Sequence, residues 1–267
     1  MTSAVFGPST AGGRRVEPSS FSQWTVLTKR VMWNLINTGQ MFVAIVTPII
    51  FTAGFYLPLK YVMGFRGIDY AQFVMPIIAL QTMGFTMMSN AQIAAFETLN
   101  GLNSRLQTMP ISRLVPLAAR IAGGMIRSAV SLSVAILFGF LIGFRFEAGL
   151  AQGVLFIVFT FAVGTALSLG ADALGVLTKS PESLSQALAL PTLIFGMLST
   201  GFVPETGFPE WVRPFVRNQP ISQFAVSMQD MTTDGVTFAV FWPALAWLCG
   251  LLVAFVPLAI WASGRRE

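Results

Sequence analysis

Arg120, Arg127 and Asp172 are ionisable residues within otherwise apolar stretches of the sequence. At the centre of a membrane a charge costs about 2.5–3.5 kcal/mol, so such side chains normally face protein or water. Arg113, Arg120 and Arg127 recur every seven residues, which on a helix places them on one face, each about 10 Å deeper than the last. Asp172 lies about two turns from Lys179, at a depth that allows an ion pair with Arg120. These residues predict either a polar stripe along a cavity that amphiphiles pass, or a structural ion pair with arginines that snorkel towards the headgroups.

The sequence lacks the motifs of nucleotide, metal and hydrolytic chemistry. Its 267 residues include no histidine, the side chain that most often ligates metals and transfers protons. A phosphate-binding loop of the form G-x-x-x-x-G-K-[ST] needs a lysine directly after a glycine, and none of the three lysines follows one. We therefore expect no catalytic residue, metal or cofactor in this chain. An enzyme built on aspartate or glutamate alone is the remaining catalytic alternative.

The elements that must position these charges are membrane helices. Mean hydropathy is +0.71 and 10% of the residues are charged, whereas a soluble domain carries about 25%. Crossing roughly 30 Å of hydrocarbon takes about 20 apolar residues, and six stretches meet this length, at about 38–59, 71–95, 115–143, 151–178, 183–202 and 238–262. They are too long for barrel strands, and their apolar residues do not alternate. The expected fold is an all-α polytopic membrane protein with six transmembrane helices in one domain, residues 21–267.

Lysine and arginine are unevenly distributed between the two sides of these spans. If the N-terminus is cytoplasmic, eleven lie on the inner side and five on the outer side, which favours both termini inside. Residues 1–20 are rich in Gly, Ser, Pro and Thr, so we expect a flexible cytoplasmic tail and not a cleaved signal peptide. No basic face interleaved with aromatic residues indicates a nucleic-acid partner.

Residues 21–36 precede the first span and have a helical apolar pattern. At about 100° per residue, one stripe contains Phe21, Trp24, Leu27, Val31, Met32 and Leu35. Lys29 and Arg30 lie elsewhere on the helix, so the pattern predicts a helix in the cytoplasmic interface. The alternative is that these residues form the first turns of span one.

Residues 203–234, on the outer side before the last span, predict two short amphipathic helices. Trp211 and Phe215 are expected on one face of the first, with Arg213 and Arg217 on another. The second helix starts at Pro220, with an apolar face of Ile221, Phe224, Ala225 and Met228. Aromatic faces with snorkelling arginines are typical of the headgroup region. We expect a lid or re-entrant hairpin whose outer gate contains Gly201, Pro204, Trp211, Arg213, Phe215, Arg217 and Pro220.

The inner connection at 96–114 predicts an amphipathic helix that ends at a proline turn. Its candidate contact residues are Glu97, Gly101, Arg105, Leu106, Met109, Pro110 and Arg113. This segment, E-x-x-x-G followed by a leucine and arginine run and P-I-S-R, resembles the coupling region of type-2 (ABC-2) ABC-transporter permeases. Phe96 stands where that family often has a basic residue.

Further segments resemble the daunorubicin-resistance branch of these permeases. The likeness is closest to the B-type permeases of actinobacterial daunorubicin and phthiocerol dimycocerosate exporters. It is carried by PIIFTAGFYLP near Pro48, the turn GFRF at Gly143–Phe146, residues Leu167–Thr178 around Asp172, and LALPTLIFGMLSTG continuing into FPEWVRPFVRNQPISQF.

The resemblance implies an architecture and a set of partners. It implies six spans, an elbow helix at 21–36, a coupling segment at 96–114 and a re-entrant outer helix pair at 203–234. A second permease would complete the transmembrane pair, with a related heterologous chain favoured over a second copy. The pair would sit on two copies of a separate P-loop ATPase, which would bind the ATP and Mg and receive the coupling segment.

The function that the resemblance implies is outward export of a large hydrophobic or amphipathic molecule across a bacterial cytoplasmic membrane. A cell-envelope lipid such as phthiocerol dimycocerosate is the first candidate substrate, ahead of anthracycline-like drugs. The alternative from another class is a channel or an autonomous secondary transporter, which needs ion-coupled residues within the spans.

Overall fold

The computed structural model describes residues 20–65, 67, 69–101, 114–178 and 180–264, and all regular secondary structure in these ranges is helical. The predicted tail lies outside the described residues up to position 19, and Ser20 already begins the first helix. Most of the predicted coupling segment also lies outside them: Arg105, Leu106, Met109, Pro110 and Arg113.

The described helices follow the predicted apolar stretches. In chain order they are α1 (Ser20–Asn37), α2 (Gln40–Gly64), α3 (Tyr70–Leu99), α4 (Leu114–Ile142), α5 (Leu150–Leu177), α6 (Pro181–Met197), α7 (Arg213–Asn218), α8 (Pro220–Thr232) and α9 (Phe238–Gly264), with a 3-10 turn at Glu205–Gly207 before α7.

Five helices in the described part of the chain are long and apolar enough to cross a membrane, namely α2, α3, α4, α5 and α9. The chain is therefore a multi-pass membrane protein. The remaining predicted span corresponds to α6, which has 17 residues, about 26 Å at the helical rise. It begins two residues before the predicted 183, with Ser180 as the N-cap and Pro181 in the first turn. It ends at Met197 and not at the predicted 202.

The centre of the bundle is α3, which packs against α2, α4, α5 and α6 and is buried over most of its length. It approaches α5 closely because small residues line the crossing. A Cβ on Gly164 would lie 2.6 Å from Met83 Sδ, and one on Gly175 would lie 2.8 Å from Ala94 Cβ. Small residues permit this kind of close packing between membrane helices. The long helices α2 and α9 bury few of their residues and form the outer faces of the bundle.

A turn with a left-handed glycine, Gly39 (φ 72°), separates α1 from α2. The two are distinct helices, so the alternative in which residues 21–36 are simply the first turns of span one is wrong. Two residues of the predicted stripe pack against the bundle: Leu35 is buried, and Val31 lies against Gly123 of α4. Phe21 at the start of the stripe is exposed.

The outer segment is built differently in its two halves. In α8 the predicted apolar face is buried against α3, α5 and α9, with Phe224, Ala225 and Met228 at its centre. The predicted helical pairing of Trp211 with Phe215 is wrong, because α7 starts only at Arg213 and Trp211 is 85% exposed. Pro214 accounts for the late start, since a proline is favoured in the first turn of a helix.

Candidate functional site

Arg120 of α4 lies between carboxylates from two other helices. Its Nε and Nη2 donate to the two carboxylate oxygens of Asp172 on α5, at 2.7 and 3.0 Å. Glu97, near the end of α3, lies 3.7 Å from Arg120 Nη1. The Arg120 side chain is 9% exposed and that of Asp172 is 4% exposed. The predicted ion pair is therefore present, and Glu97 connects it to the end of α3, where the predicted coupling segment begins.

Little free space adjoins this ion pair. The neighbouring cavity, shared with Leu35 of α1, measures about 10 Å³, close to the smallest volume that holds one water molecule. The geometry therefore supports a structural role for Arg120 and Asp172, which together hold α4 against α5.

Arg127 lies two turns further along α4 and forms no ion pair with any residue that the structure describes. Its Nη1 donates to Gln40 Oε1 at 2.7 Å and to the Ser89 hydroxyl. Its Nη2 donates to Asn90 Oδ1 at 2.9 Å and to the Thr86 carbonyl oxygen. These acceptors are all uncharged, so they satisfy four hydrogen bonds but leave the positive charge uncompensated.

Asn90 is held in place by contacts with both flanking helices. Its Nδ2 donates to Ser168 Oγ of α5 at 3.0 Å. On the other side, a Cβ on Gly124 of α4 would lie 3.0 Å from Asn90 Cγ and closer still to its amide nitrogen. Because Gly124 has no side chain, the Asn90 amide fits against α4 and can contact Arg127.

A cleft of about 340 Å³ adjoins Arg127 between α2, α3 and α4. Small-molecule sites typically measure about 300–1,000 Å³ and combine apolar walls with a few polar groups. The apolar wall includes Val43, Phe85 and Met88, and the polar groups besides Arg127 include Gln92 and Ser131. The cleft therefore has the size and composition of a binding site for an amphiphile.

The two intramembrane arginines belong to separate sites. Although they lie seven residues apart on α4, Arg120 faces carboxylates of α5 and of the end of α3, whereas Arg127 contacts neutral groups of α2 and α3. Arg113, the third residue of the predicted series, lies outside the described residues. The predicted polar stripe thus divides into a closed ion pair and an arginine beside an open cleft.

On the outer side, Gln219 joins the end of α6 to the start of α8. Its Nε2 donates to the carbonyl oxygens of Phe195 and Leu198, at 3.2 and 2.7 Å, and to Ser222 Oγ at 3.1 Å. Carbonyl oxygens in the last turn of a helix lack intrahelical hydrogen-bond donors. The Gln219 amide donates hydrogen bonds to two such oxygens at the end of α6. The Ser222 hydroxyl also accepts from the Thr200 N–H at 3.1 Å.

The predicted outer-gate residues occupy the break between α6 and α8. Gly201 is buried, and a Cβ there would lie 2.7 Å from Ile77 Cβ of α3 and 3.0 Å from Ala225 Cβ of α8. Pro204 precedes the 3-10 turn, and Pro220 opens α8. Trp211 and Phe215 are exposed. The structure therefore buries the start of this break, at Gly201, in the bundle and leaves the side chains of Trp211 and Phe215 outside.

An ion pair between Glu205 and Arg217 connects the 3-10 turn to α7 in the exposed part of this segment. Arg217 Nη2 donates to Glu205 Oε1 at 2.5 Å, and its Nε lies 3.1 and 3.2 Å from the two carboxylate oxygens. Arg213 Nε donates to the Phe208 carbonyl oxygen at 2.9 Å. The hydrogen bond from Arg217 lowers the pKa of Glu205 from its usual 4.5.

Acidification is expected to release the contact between Glu205 and Arg217. Because the folded-state pKa of Glu205 is lowered, the contact stabilises the loop at higher pH, and this contribution is lost as pH falls through that pKa, below 4.5. A spin label on Thr206→Cys, with Cys249→Ser to remove the native thiol, should become more mobile in that range. In Glu205→Gln the label should already be mobile at neutral pH and should respond little to acid. A spectrum in the parent chain that stays unchanged down to the lowest pH at which the chain remains folded would contradict the prediction.

Sequence reasoning missed the neutral partners of the buried groups. Gln40 and Asn90 solvate Arg127, and Gln219 caps α6. One signal was available for Arg127: Thr86, Ser89 and Asn90 are spaced i, i+3 and i+4, which places three polar residues on one face of an apolar helix.

The fold and these sites define a multi-pass helical membrane protein with a buried cation beside an internal cleft. The family profile described as ABC-2 family transporter protein matches residues 66–261, and the chain belongs to this family. The resemblance seen in the sequence motifs is thereby confirmed.

Several curated relatives share most of this length. The chain is 35% identical to the doxorubicin resistance ABC transporter permease protein DrrB of Mycobacterium tuberculosis, over 97% of this chain and 93% of the relative. It is 31% identical to the probable doxorubicin resistance permease DrrC of the same species, over 60% of this chain and 58% of the relative. It is 27% identical to the daunorubicin resistance permease DrrB1 of Streptomyces coeruleorubidus, over 72% of this chain and 68% of the relative.

Proposed function

We propose that this chain is the membrane-spanning permease subunit of an ATP-driven exporter that moves a large hydrophobic or amphipathic molecule outward across a bacterial cytoplasmic membrane. The observation that carries the proposal is its 35% identity, over 97% of its length, with a doxorubicin resistance permease. The match spans the transmembrane helices and the inner connection together, so it concerns the whole permease and not one helix pair.

The cargo proposed here is an anthracycline-like drug or a molecule of similar amphipathic character. The names of these three relatives all refer to resistance to doxorubicin or daunorubicin. An envelope lipid such as phthiocerol dimycocerosate, which the sequence analysis placed first, has no comparable support and takes second place. Apolar and aromatic helix surfaces suit both cargoes, so they do not separate them.

The proposed membrane topology has six spans with both termini cytoplasmic. In this arrangement α6 is the fifth span, and the uncharged break at 198–202 completes its passage towards the outer side. The buried packing of α8 against α3, α5 and α9 supports a re-entrant position for the outer helix pair, because irregular backbone at membrane depth is tolerated where protein covers it. The helix α1 takes the place of the interfacial elbow.

The proposed partners are two copies of a P-loop ATPase, which bind ATP and Mg, and a second permease of related sequence. The apolar residues exposed on α2 and α6, such as Ile50, Leu57, Leu190 and Leu193, supply surface for the second permease. The segment from Glu97 to Arg113 docks on the ATPase. Since Glu97 lies 3.7 Å from Arg120, a push on this segment reaches α4 and α5 through the ion pair.

In the proposed transport step, closure of the ATPase pair displaces the coupling segments and rearranges the helices at the interface between permeases. The cargo moves between the two permeases or along the lipid-facing side of their interface. The outer gate, from Gly201 to Pro220, opens at the outer leaflet. Deletion of 204–219 that left export unchanged would remove the gate from this mechanism.

Purification of the tagged full chain from its native membrane in mild detergent tests the assembly. We expect mass spectrometry to identify a P-loop ATPase and a second, different permease, with two copies of the ATPase for one copy of each permease. Recovery of the chain alone, repeatedly and in several detergents, would contradict the proposal and favour a channel or a secondary transporter. A matched purification after deletion of 97–113 should lose the ATPase and keep the second permease.

A further inference from the structure

Arg127 carries a permanent charge at the middle of a membrane-spanning helix. The helix α4 has 29 residues, and Arg127 lies about 20 Å along its length of about 43 Å. An arginine does not lose its proton in proteins, and a charge at this depth costs about 2.5–3.5 kcal/mol. Burial of such a group is normally offset by an opposite charge.

The same helix contains a natural comparison. Arg120 has carboxylates from two helices and an adjoining cavity of about 10 Å³, whereas Arg127 has no ion-pair partner among the described residues and adjoins a cleft of about 340 Å³. A charge-paired arginine without an adjoining cleft is therefore already present on α4, and Arg127 differs from it in both charge balance and access.

The cleft offers further groups that are ready to bind. The Arg127 Nε–H and the side chains of Thr47, Gln92 and Ser131 donate to none of the residues that the structure describes, and Arg127 and these three line the cleft. No aspartate or glutamate is among the described residues that line it. The lining therefore presents one uncompensated positive charge together with neutral donors, which favours an anion and disfavours a cation.

We infer that this cleft binds an anionic amphiphile through its oxyanion, a carboxylate or a phosphate. The inference goes beyond the proposed function, because it concerns the charge of the ligand and does not take the ligand to be the cargo. The oxyanion supplies the countercharge that Arg127 lacks and accepts hydrogen bonds from the free donors. The apolar body lies along Phe85, Met88 and the exposed Val43, where the cleft meets the surface of the bundle.

Fluorescence titration of the purified full chain in an uncharged detergent tests this assignment. The probes are cis-parinaric acid, which ends in a carboxylate, and its methyl ester, which has the same chain without the charge. We expect the acid to bind at least about tenfold more tightly than the ester. Arg127→Gln should abolish this preference, and Arg127→Lys should retain part of it because it keeps the charge but not the planar fork.

Two further variants keep the test informative if Arg127→Gln fails to fold. Thr47→Phe fills the cleft without removing any hydrogen-bond partner of Arg127, so it should lose binding of the acid while its melting temperature stays close to the parent value. Arg30→Gln removes an exposed arginine on α1, away from the cleft, and should leave the preference intact. Inorganic phosphate should not displace the acid, since a free anion lacks the apolar body.

Equal affinity for acid and ester in the parent chain, or full binding of the acid by Thr47→Phe, would overturn the inference. Displacement by inorganic phosphate at equal concentration would also overturn it, by assigning the cleft to a free anion. These outcomes are independent of the purification test of the assembly. Recovery of the ATPase without preference for the acid contradicts only the inference, and preference for the acid without an ATPase contradicts only the proposed function.

Discussion

Asp172→Asn is expected to destabilise the protein by about 3–5 kcal/mol, the usual cost of removing one partner of a buried ion pair. The Arg120 guanidinium would lose its bidentate contact at 2.7 and 3.0 Å and would keep its charge. Glu97 compensates in part only, because it lies 3.7 Å away and is more exposed than Asp172. The measurement is thermal melting of the purified chain in detergent, followed as loss of the monodisperse peak in size-exclusion chromatography.

A double-mutant cycle separates the ion pair from the loss of either side chain. Arg120→Met with Asp172→Leu removes both charges, and apolar replacement of a buried ion pair is often neutral or stabilising. We therefore expect the double variant to be more stable than either single variant. Glu182→Gln, which alters an exposed carboxylate on α6, is the matched control and should stay within about 0.5 kcal/mol of the parent. Simple addition of the two single losses would show that the pair itself contributes nothing.

The membrane-crossing helices can be predicted from the sequence because each needs about 20 apolar residues in a row. The stretch at 71–95 corresponds to α3, and that at 238–262 corresponds to α9. The end of α6 cannot be predicted in this way. Residues 198–202 carry no charge and pack into the bundle, with Phe202 buried and its ring 4.3 Å from that of Phe55. Hydropathy indicates that a stretch is buried, but it does not indicate the residue at which the helix ends.

The two intramembrane arginines differ in how far the sequence determines their surroundings. Asp172 is the one acidic residue at the depth of Arg120 within the apolar stretches, so opposite charge leaves few alternative partners. The partners of Arg127 are neutral and come from both α2 and α3. Uncharged polar residues occur throughout the chain, so only the packing of the helices selects Gln40 and Asn90. The cleft itself depends on the separation of three helices, which composition and spacing do not determine.

Gly175→Ala and Gly250→Ala are expected to change stability in opposite directions. A methyl group on Gly175 would overlap the Ala91 carbonyl oxygen and lie 2.8 Å from Ala94 Cβ. Since the obstacle is the α3 backbone, relief requires the two helices to move apart, and such overpacking costs about 1–3 kcal/mol. Nothing lies within 4 Å of the corresponding position on Gly250, so there the gain in helix propensity, up to about 1 kcal/mol, should prevail. Melting in detergent measures both, and equal shifts in the two variants would contradict close packing at Gly175.

Separation of α3 and α5 at Gly175 should also reach the ion pair, because Asp172 lies one helical turn earlier on α5. Once the pair has been replaced by Arg120→Met and Asp172→Leu, Gly175→Ala has less left to disrupt. The loss from Gly175→Ala should therefore be smaller in that background than in the parent chain, as expected for sites that share a structural unit. An identical loss in both backgrounds would mean that the helices part at Gly175 while Asp172 keeps its place. The close crossing and the ion pair would then stabilise the bundle independently.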